Sequence, residues 1–289
     1  MRLRELLRGH ERGVAFTLSL ASVEYIAWVL EPSLFGPVLD GLIDTRNHEP
    51  KARLLAPLVF WAIAFAVNSG AGAIRRVFEQ KIYLRLFADL AARVVELGKR
   101  KRVPLTAVQG RIELTKGVVT FLQHRVPEIL DQGIAIVGAM VSLAFFDFRL
   151  AAACAAVLVP VLWVQRMYTK AVTKLQAEVH DRVEAVSIVL HTGDPDQVRS
   201  YLLETARSQQ AIANWGARVF VVLRVVLFVI FLVVLFVAID LDDFTTGRLY
   251  SIVAYIWTFI TSTEYIPDLI EDWIAFKDIE GRLRLEGDL

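Results

Sequence analysis

The sequence predicts an all-α integral membrane protein, with six transmembrane helices and long helical extensions on one side of the bilayer. Three observations predict it. Of 289 residues, 55% are hydrophobic and 22% charged, and the mean hydropathy is +0.49. That apolar content lies outside ordinary soluble composition, while the charged fraction is close to a globular protein's. Long helices, half in lipid and half in water, satisfy both. Six apolar stretches follow at 14–30, 54–74, 132–146, 150–165, 219–239 and 249–263. If they alternate across a bilayer from a cytoplasmic N-terminus, 27 of the 32 Lys and Arg fall inside and five outside. That is the positive-inside bias, which a soluble helical protein has no reason to show.

Each element has its own justification. Residues 1–13 (MRLRELLRGHERG) lead into the first apolar stretch as a secretory signal does. No A-x-A-like cleavage site precedes Pro32 and further apolar stretches follow, so the segment is expected to be retained. From the second stretch an apolar stripe of Phe78, Ile82, Leu86, Leu90, Val94 and Leu97 continues at helical spacing, with Arg75, Glu79, Arg93 and Glu96 off it. One helix from Leu54 to about Arg102 is predicted, ~70 Å long and more than twice the bilayer core.

Pro104 and Gly110 then break the chain, and a third helix is expected from near Leu114 through Pro127 to Phe146. Asp147-Phe148-Arg149 makes a short turn. The fourth helix overruns its span past Arg166 and Lys170 toward His191. Thr192 to Gln197 reads as a stop and a start, with Gly193 at the C-cap, Asp194 at the N-cap, Pro195 at the first helical position and Gln197 closing a capping box. A fifth helix from Pro195 to about Ile239 and a sixth after a short turn complete the chain. The expected spans lie near 14–35, 54–75, 127–147, 150–168, 218–239 and 248–268, with cytoplasmic hairpins at 76–126 and 169–217, in a single domain 1–289.

Pro32, Leu34, Gly36 and Asp40 form a P-x-L-x-G-x-x-x-D run at the end of the first span. Thr246-Gly247 precedes the sixth span, Pro267 lies in its inner half and Arg282 follows it. With six spans and two long inner hairpins, this pattern resembles the transmembrane domain of ABC exporters over roughly residues 10–285. The stretches 106–127 and 179–207 are similar to a branch of stand-alone six-span domains of that type. No G-x-x-x-x-G-K-[ST] phosphate loop occurs in these residues; 110–117 (GRIELTKG) lacks the required order. The resemblance therefore implies that ATP chemistry, if any, belongs to a partner ATPase, and that a second copy completes the cavity. In that family the hairpin tips are coupling helices. Thr106, Gly110, Arg111 and Glu113 mark the first tip. His191, Gly193 and Asp194 mark the second, with residues 174–184 as an alternative position.

No HExxH, CxxC, nucleophile elbow or carboxylate pair in a polar loop is present, so no enzyme active site, cofactor or metal site is expected. The single Cys154 lies in an alanine-rich apolar run and reads as a small buried side chain. Charges inside spans are the better lead, because an ionised group in hydrocarbon faces a bundle interior or a wet cavity. Glu24 lies mid-span with Trp28 and Glu31 on its face. Arg224 lies in the fifth span. Trp257, Thr261, Glu264, Asp268 and Glu271 form one stripe on the sixth helix, with Asp272 beside it. These residues are candidates for a polar, acidic cavity lining suited to a cationic or peptidic substrate, or to proton uptake. In the plainer alternative Glu24 pairs with Arg224, and the segment 264–272 stands in cytosolic water. Pro32, Pro37, Pro57, Pro127, Pro160 and Pro267 serve as packing kinks or as hinges.

Three functions remain open from the residues. The first is a homodimeric transport subunit of the plasma or inner membrane, multi-pass with cytoplasmic termini, driven by a separate ATPase and without nucleic-acid partners. The second is a proton-driven transporter similar to the SbmA/BacA peptide-uptake family. The third is a non-transporting scaffold subunit.

Overall fold

The computed structural model describes the backbone of residues 9–46, 52–100, 102, 105–190, 194–239 and 245–287, and most of their side chains. Among them there is no strand. α1 (Glu11–Arg46) and α2 (Ala52–Arg100) form an antiparallel pair. α3 (Leu105–Thr120), a π turn (Phe121–Arg125) and α4 (Val126–Phe146) make one continuous rod, and α5 (Phe148–Leu190) pairs with α6 (Pro195–Ile239). α7 (Thr246–Glu264) and α8 (Ile266–Gly287) are separated by Tyr265 alone. Six rods result, whose hairpin end holds the α2/α3 and α5/α6 connections and whose turn end holds the short ones.

Five rods contain segments long and apolar enough to cross a membrane: Glu11–Arg46, Arg53–Arg100, Val108–Phe146, Phe148–Gln176 and Pro195–Val237. The sixth does not, because Arg248 and several Thr, Ser and Tyr residues lower its hydropathy. Its position explains the difference. α7 packs against α1, α4 and α6, and Ser251, Tyr255, Ser262 and Thr263 are buried on it. A helix sheathed by other helices needs little lipid-facing apolar surface, provided that its polar groups find partners. Ser251 and Thr263 donate to carbonyls of their own helix one turn back, at 3.0 and 2.7 Å.

Two cores hold the bundle together. One lies among α4, α5, α6 and α7, around Leu143, Leu150, Val161, Leu227 and Phe259, and contains Cys154, which is fully buried. The other joins α1, α2, α3 and α8 through Val14, Tyr83, Leu86, Val118, Phe121 and Phe276. The π turn organises the second. Pro127 has no N–H, and the Val126 N–H donates to the Phe121 carbonyl five residues back, so the Leu122 carbonyl loses its helical donor. The Tyr83 hydroxyl of α2 supplies one instead, at 3.1 Å. The same turn exposes Phe121 to stack on Phe276 of α8, with ring centroids 4.1 Å apart and planes at 14°.

The third helix corrects the expected start near Leu114: it begins at Leu105, and Gly110 lies inside it. A side chain on Gly110 would meet nothing within 4 Å, so its weak helix propensity, about 1 kcal/mol against Ala, is its whole cost. Burial of Val108, Thr115, Val118 and Val119 offsets it. The break is at Arg102, whose φ of 54° is left-handed. α5 runs to Leu190, while His191 and Gly193 lie outside the described residues. Asp194 caps α6 as expected, its Oδ1 accepting from the Asp196 N–H at 3.0 Å with Pro195 at the first position.

Candidate functional site

Three polar assemblies interrupt the apolar packing. The first joins α1 to α2. Glu24 accepts from Arg75 Nε at 2.7 Å, and Arg75 Nη1 reaches Glu79 at 2.7 Å. All three side chains are largely buried. Asn68 donates to the Glu24 carbonyl at 2.8 Å, and the Arg75 guanidinium lies 5.8 Å from the Tyr25 ring centre. Gly72 makes the contact possible, since a side chain there would collide with the Glu24 carboxylate. The alternative pairing of Glu24 with Arg224 is therefore corrected: each has its own partner, on different helices. Glu31 also faces α2 and accepts from Trp61 Nε1 at 3.0 Å. Trp28, between them in sequence, is exposed.

The second assembly closes the turn end. α1 and α7 cross where Gly36 meets Gly247, so closely that a methyl group on either would overlap the other's backbone. One turn further along α1, Asp40 Oδ1 accepts from the Gly247 N–H and its Oδ2 from the Thr245 hydroxyl, both at 2.8 Å. The Thr245 hydroxyl in turn accepts from the Arg248 N–H at 3.1 Å. A carboxylate thus satisfies a free N–H at the positive end of a helix. Arg248 Nη2 donates to the Phe146 carbonyl at 3.0 Å, occupying an acceptor freed by the end of α4. The P-x-L-x-G-x-x-x-D and T-G runs, 205 residues or more apart, are two halves of one joint.

The third assembly is a groove between α5/α6 and α7/α8. Arg224 of α6 forms an ion pair with Glu264 of α7: its Nη2 donates to Oε2 at 2.9 Å, and its Nε lies 2.7 Å from Oε1. The guanidinium also lies over the Phe220 ring, 5.2 Å from its centre. Toward the turn end Leu227, Phe228, Phe231, Trp257 and Ile260 enclose about 210 Å³. Toward the hairpin end a wider space of about 540 Å³ is lined by Tyr168, Phe220, Tyr265, Asp268 and Glu271. Thr261 and Glu264 border both. The sixth-helix stripe of Trp257, Thr261, Glu264, Asp268 and Glu271 thus comes together with Arg224 along one groove, whereas Glu24, Trp28 and Glu31 lie elsewhere. Burial pushes the Glu271 carboxyl above its usual range, and neighbouring Asp272 adds to the effect. Asp272 shifts the same way through burial, against the pull of Arg125, which it meets at 3.0 Å.

At the first tip Arg111 and Glu113 lie on α3 two to three turns from the left-handed Arg102, and Thr106 is the second residue of that helix. Among the described residues no group of His, Cys, Asp and Glu is arranged to hold a metal ion.

Sequence reasoning missed Arg75 and Glu79, which charge bookkeeping had placed just outside the membrane, and the aromatic wall of the groove. A signal for the wall existed: Phe220, Arg224, Phe228 and Phe231 recur at intervals of four, four and three, one face of α6.

Six helical rods, five apolar enough to cross a bilayer, with long hairpins at one end and an open polar-mouthed groove between them, define a multi-pass membrane protein. The ABC transporter transmembrane region family matches residues 3–247. The chain belongs to that family, as its motifs suggested. The match covers α1 to α6 and ends ahead of Glu264, Asp268 and Glu271. No curated protein matches the chain in sequence.

Proposed function

We propose that the chain is one protomer of a homodimeric transport domain that moves substrate by alternating access, driven by a separately encoded ATPase docked on the hairpin tips. The observation that carries this reading is mechanical. α5 and α6 run unbroken in backbone from the groove to the second tip, and α2 and the α3–α4 rod from the apolar region to the first, so a displacement at either tip is carried into the apolar region without a flexible joint. N- and C-termini and both tips then face the cytoplasm, as the basic residues of that end favour. In this reading the chain supplies no catalytic chemistry of its own.

Two alternatives are less well supported. For a proton-driven cycle, which would draw on Glu24, Glu264 and Asp268, the first two each already have a guanidinium at 2.7 Å that a proton carrier must first release, and Asp268 is exposed. For a scaffold, an open groove of about 540 Å³ serves no purpose.

The test is purification from native membranes under mild detergent. An ATPase is expected to copurify, its activity is expected to fall on Arg111→Glu combined with Glu113→Lys, and vesicles containing both are expected to show ATP-dependent uptake. A chain that purifies without ATPase and transports only along a pH gradient overturns the reading in favour of proton drive.

A further inference from the structure

The groove changes polarity along its axis, and the change specifies a ligand. α6 and α7–α8 are antiparallel, so each level of the groove takes one wall from each. At the deep level Phe228 and Phe231 face Trp257 and Ile260 around about 210 Å³. At the middle level Arg224 and Glu264 neutralise one another at 2.7 Å. At the mouth Asp268 and Glu271 line about 540 Å³; among the described residues neither makes a direct ion pair, and Arg125, which attracts Asp268 from outside the groove, is already paired with Glu128 and Asp272. Once Arg224 is committed to Glu264, no basic side chain lines either compartment. The combined space is of the size that encloses a drug-sized molecule, for which pockets run to roughly 300–1,000 Å³.

We infer that this groove binds amphipathic cations: molecules with an aromatic or branched apolar body, which fills the deep compartment, and an ammonium or comparable cation, which lies at the mouth between Asp268 and Glu271. An apolar body gains by leaving water for the aromatic walls. The cation's loss of hydration is offset by two carboxylates and by the faces of nearby rings. An anion of the same shape meets the carboxylates with no free cation to receive it, and is rejected. The inference names the substrate class for the transport reading above, but binding itself needs neither ATPase nor transport.

The experiment is calorimetric titration of the purified chain in lipid nanodiscs with tetraphenylphosphonium, and with tetraphenylborate, its near-isosteric anion, each corrected against empty nanodiscs. Saturable binding of the cation and none of the anion is expected. Asp268→Asn combined with Glu271→Gln is expected to weaken the cation's binding about tenfold, a loss of about 1.4 kcal/mol, and Trp257→Ala to weaken it as well. Equal binding of both ions, no saturable binding of the cation, or an unchanged affinity in a folded double variant overturns the inference. Should the double variant fail to fold, the contrast between cation and anion in the unmodified chain still decides. Failure here leaves copurification of an ATPase untouched, and the converse holds.

Discussion

At Gly247 a single hydrogen atom in place of a side chain allows two helices to touch backbone to backbone, and Asp40 uses that proximity to cap the shorter one. Gly247→Ala must push α1 and α7 apart, and is expected to cost about 1–3 kcal/mol, as overpacking does. Asp40→Ala leaves the Gly247 N–H without its acceptor and is expected to cost about 1–2 kcal/mol, the worth of a good cap. Thermal unfolding in detergent reads both. The Glu24–Arg75 pair makes a sharper case. Removing one member leaves the other charge buried, so Arg75→Met is expected to lose about 3–5 kcal/mol, while Arg75→Met with Glu24→Leu and Glu79→Leu recovers much of it. A double-mutant cycle between Glu24 and Arg75 measures the coupling. Glu24 was conspicuous in the sequence as a charge in an apolar run. Its partner was not, because helix geometry alone does not say which faces of α1 and α2 meet.

At the scale of elements, the π turn ties Pro127 to Tyr83 and Phe121 to Phe276. Phe276→Ala removes the stacking that holds α8 against the π turn, and faster hydrogen exchange over residues 266–287 is expected, with α6 unchanged. The docking of α8 also has a pH dependence of definite sign. Burial raises the proton affinity of Glu271 in the folded protein, so the folded state holds that proton more tightly than the unfolded one. The resulting stabilisation is present in mild acid and lost as pH rises through the raised value. Protection of α8 is therefore expected to be greater below the raised value than above it, and Glu271→Gln to flatten the decline. Helix periodicity made α2, α5 and α6 legible almost to their ends. It failed at α3, because Gly110 is a breaker only where nothing else holds the helix, and the buried face of α3 does hold it.

For the whole molecule, orientation is the property to test. Cys154 is fully buried and is expected to remain silent toward aqueous thiol reagents. With it replaced by Ser, cysteines introduced at Arg111 and at Phe148 are expected to label from opposite sides of the membrane, Arg111 from the cytoplasm. Labelling of both from one side overturns the alternating topology. The skewed distribution of Lys and Arg predicted this arrangement, because the bilayer sorts charge by chain position and needs no knowledge of packing.

The sequence by itself determined most of the helices, α3's start and the division at Tyr265 excepted, together with the family and the stripe on the sixth helix, since these follow from periodicity, capping residues and charge along a single chain. The tertiary structure decided the partners: Arg75 rather than Arg224 for Glu24, Asp40 for the start of α7, and the aromatic face of α6 opposite the acidic stripe. Such pairings depend on how one helix is rotated against another, a choice made by close packing among residues far apart in sequence. For the same reason α7, which has no segment apolar enough to cross a membrane by itself, still sits among the other helices: its polar side chains are sheltered by neighbours that no local window of sequence contains.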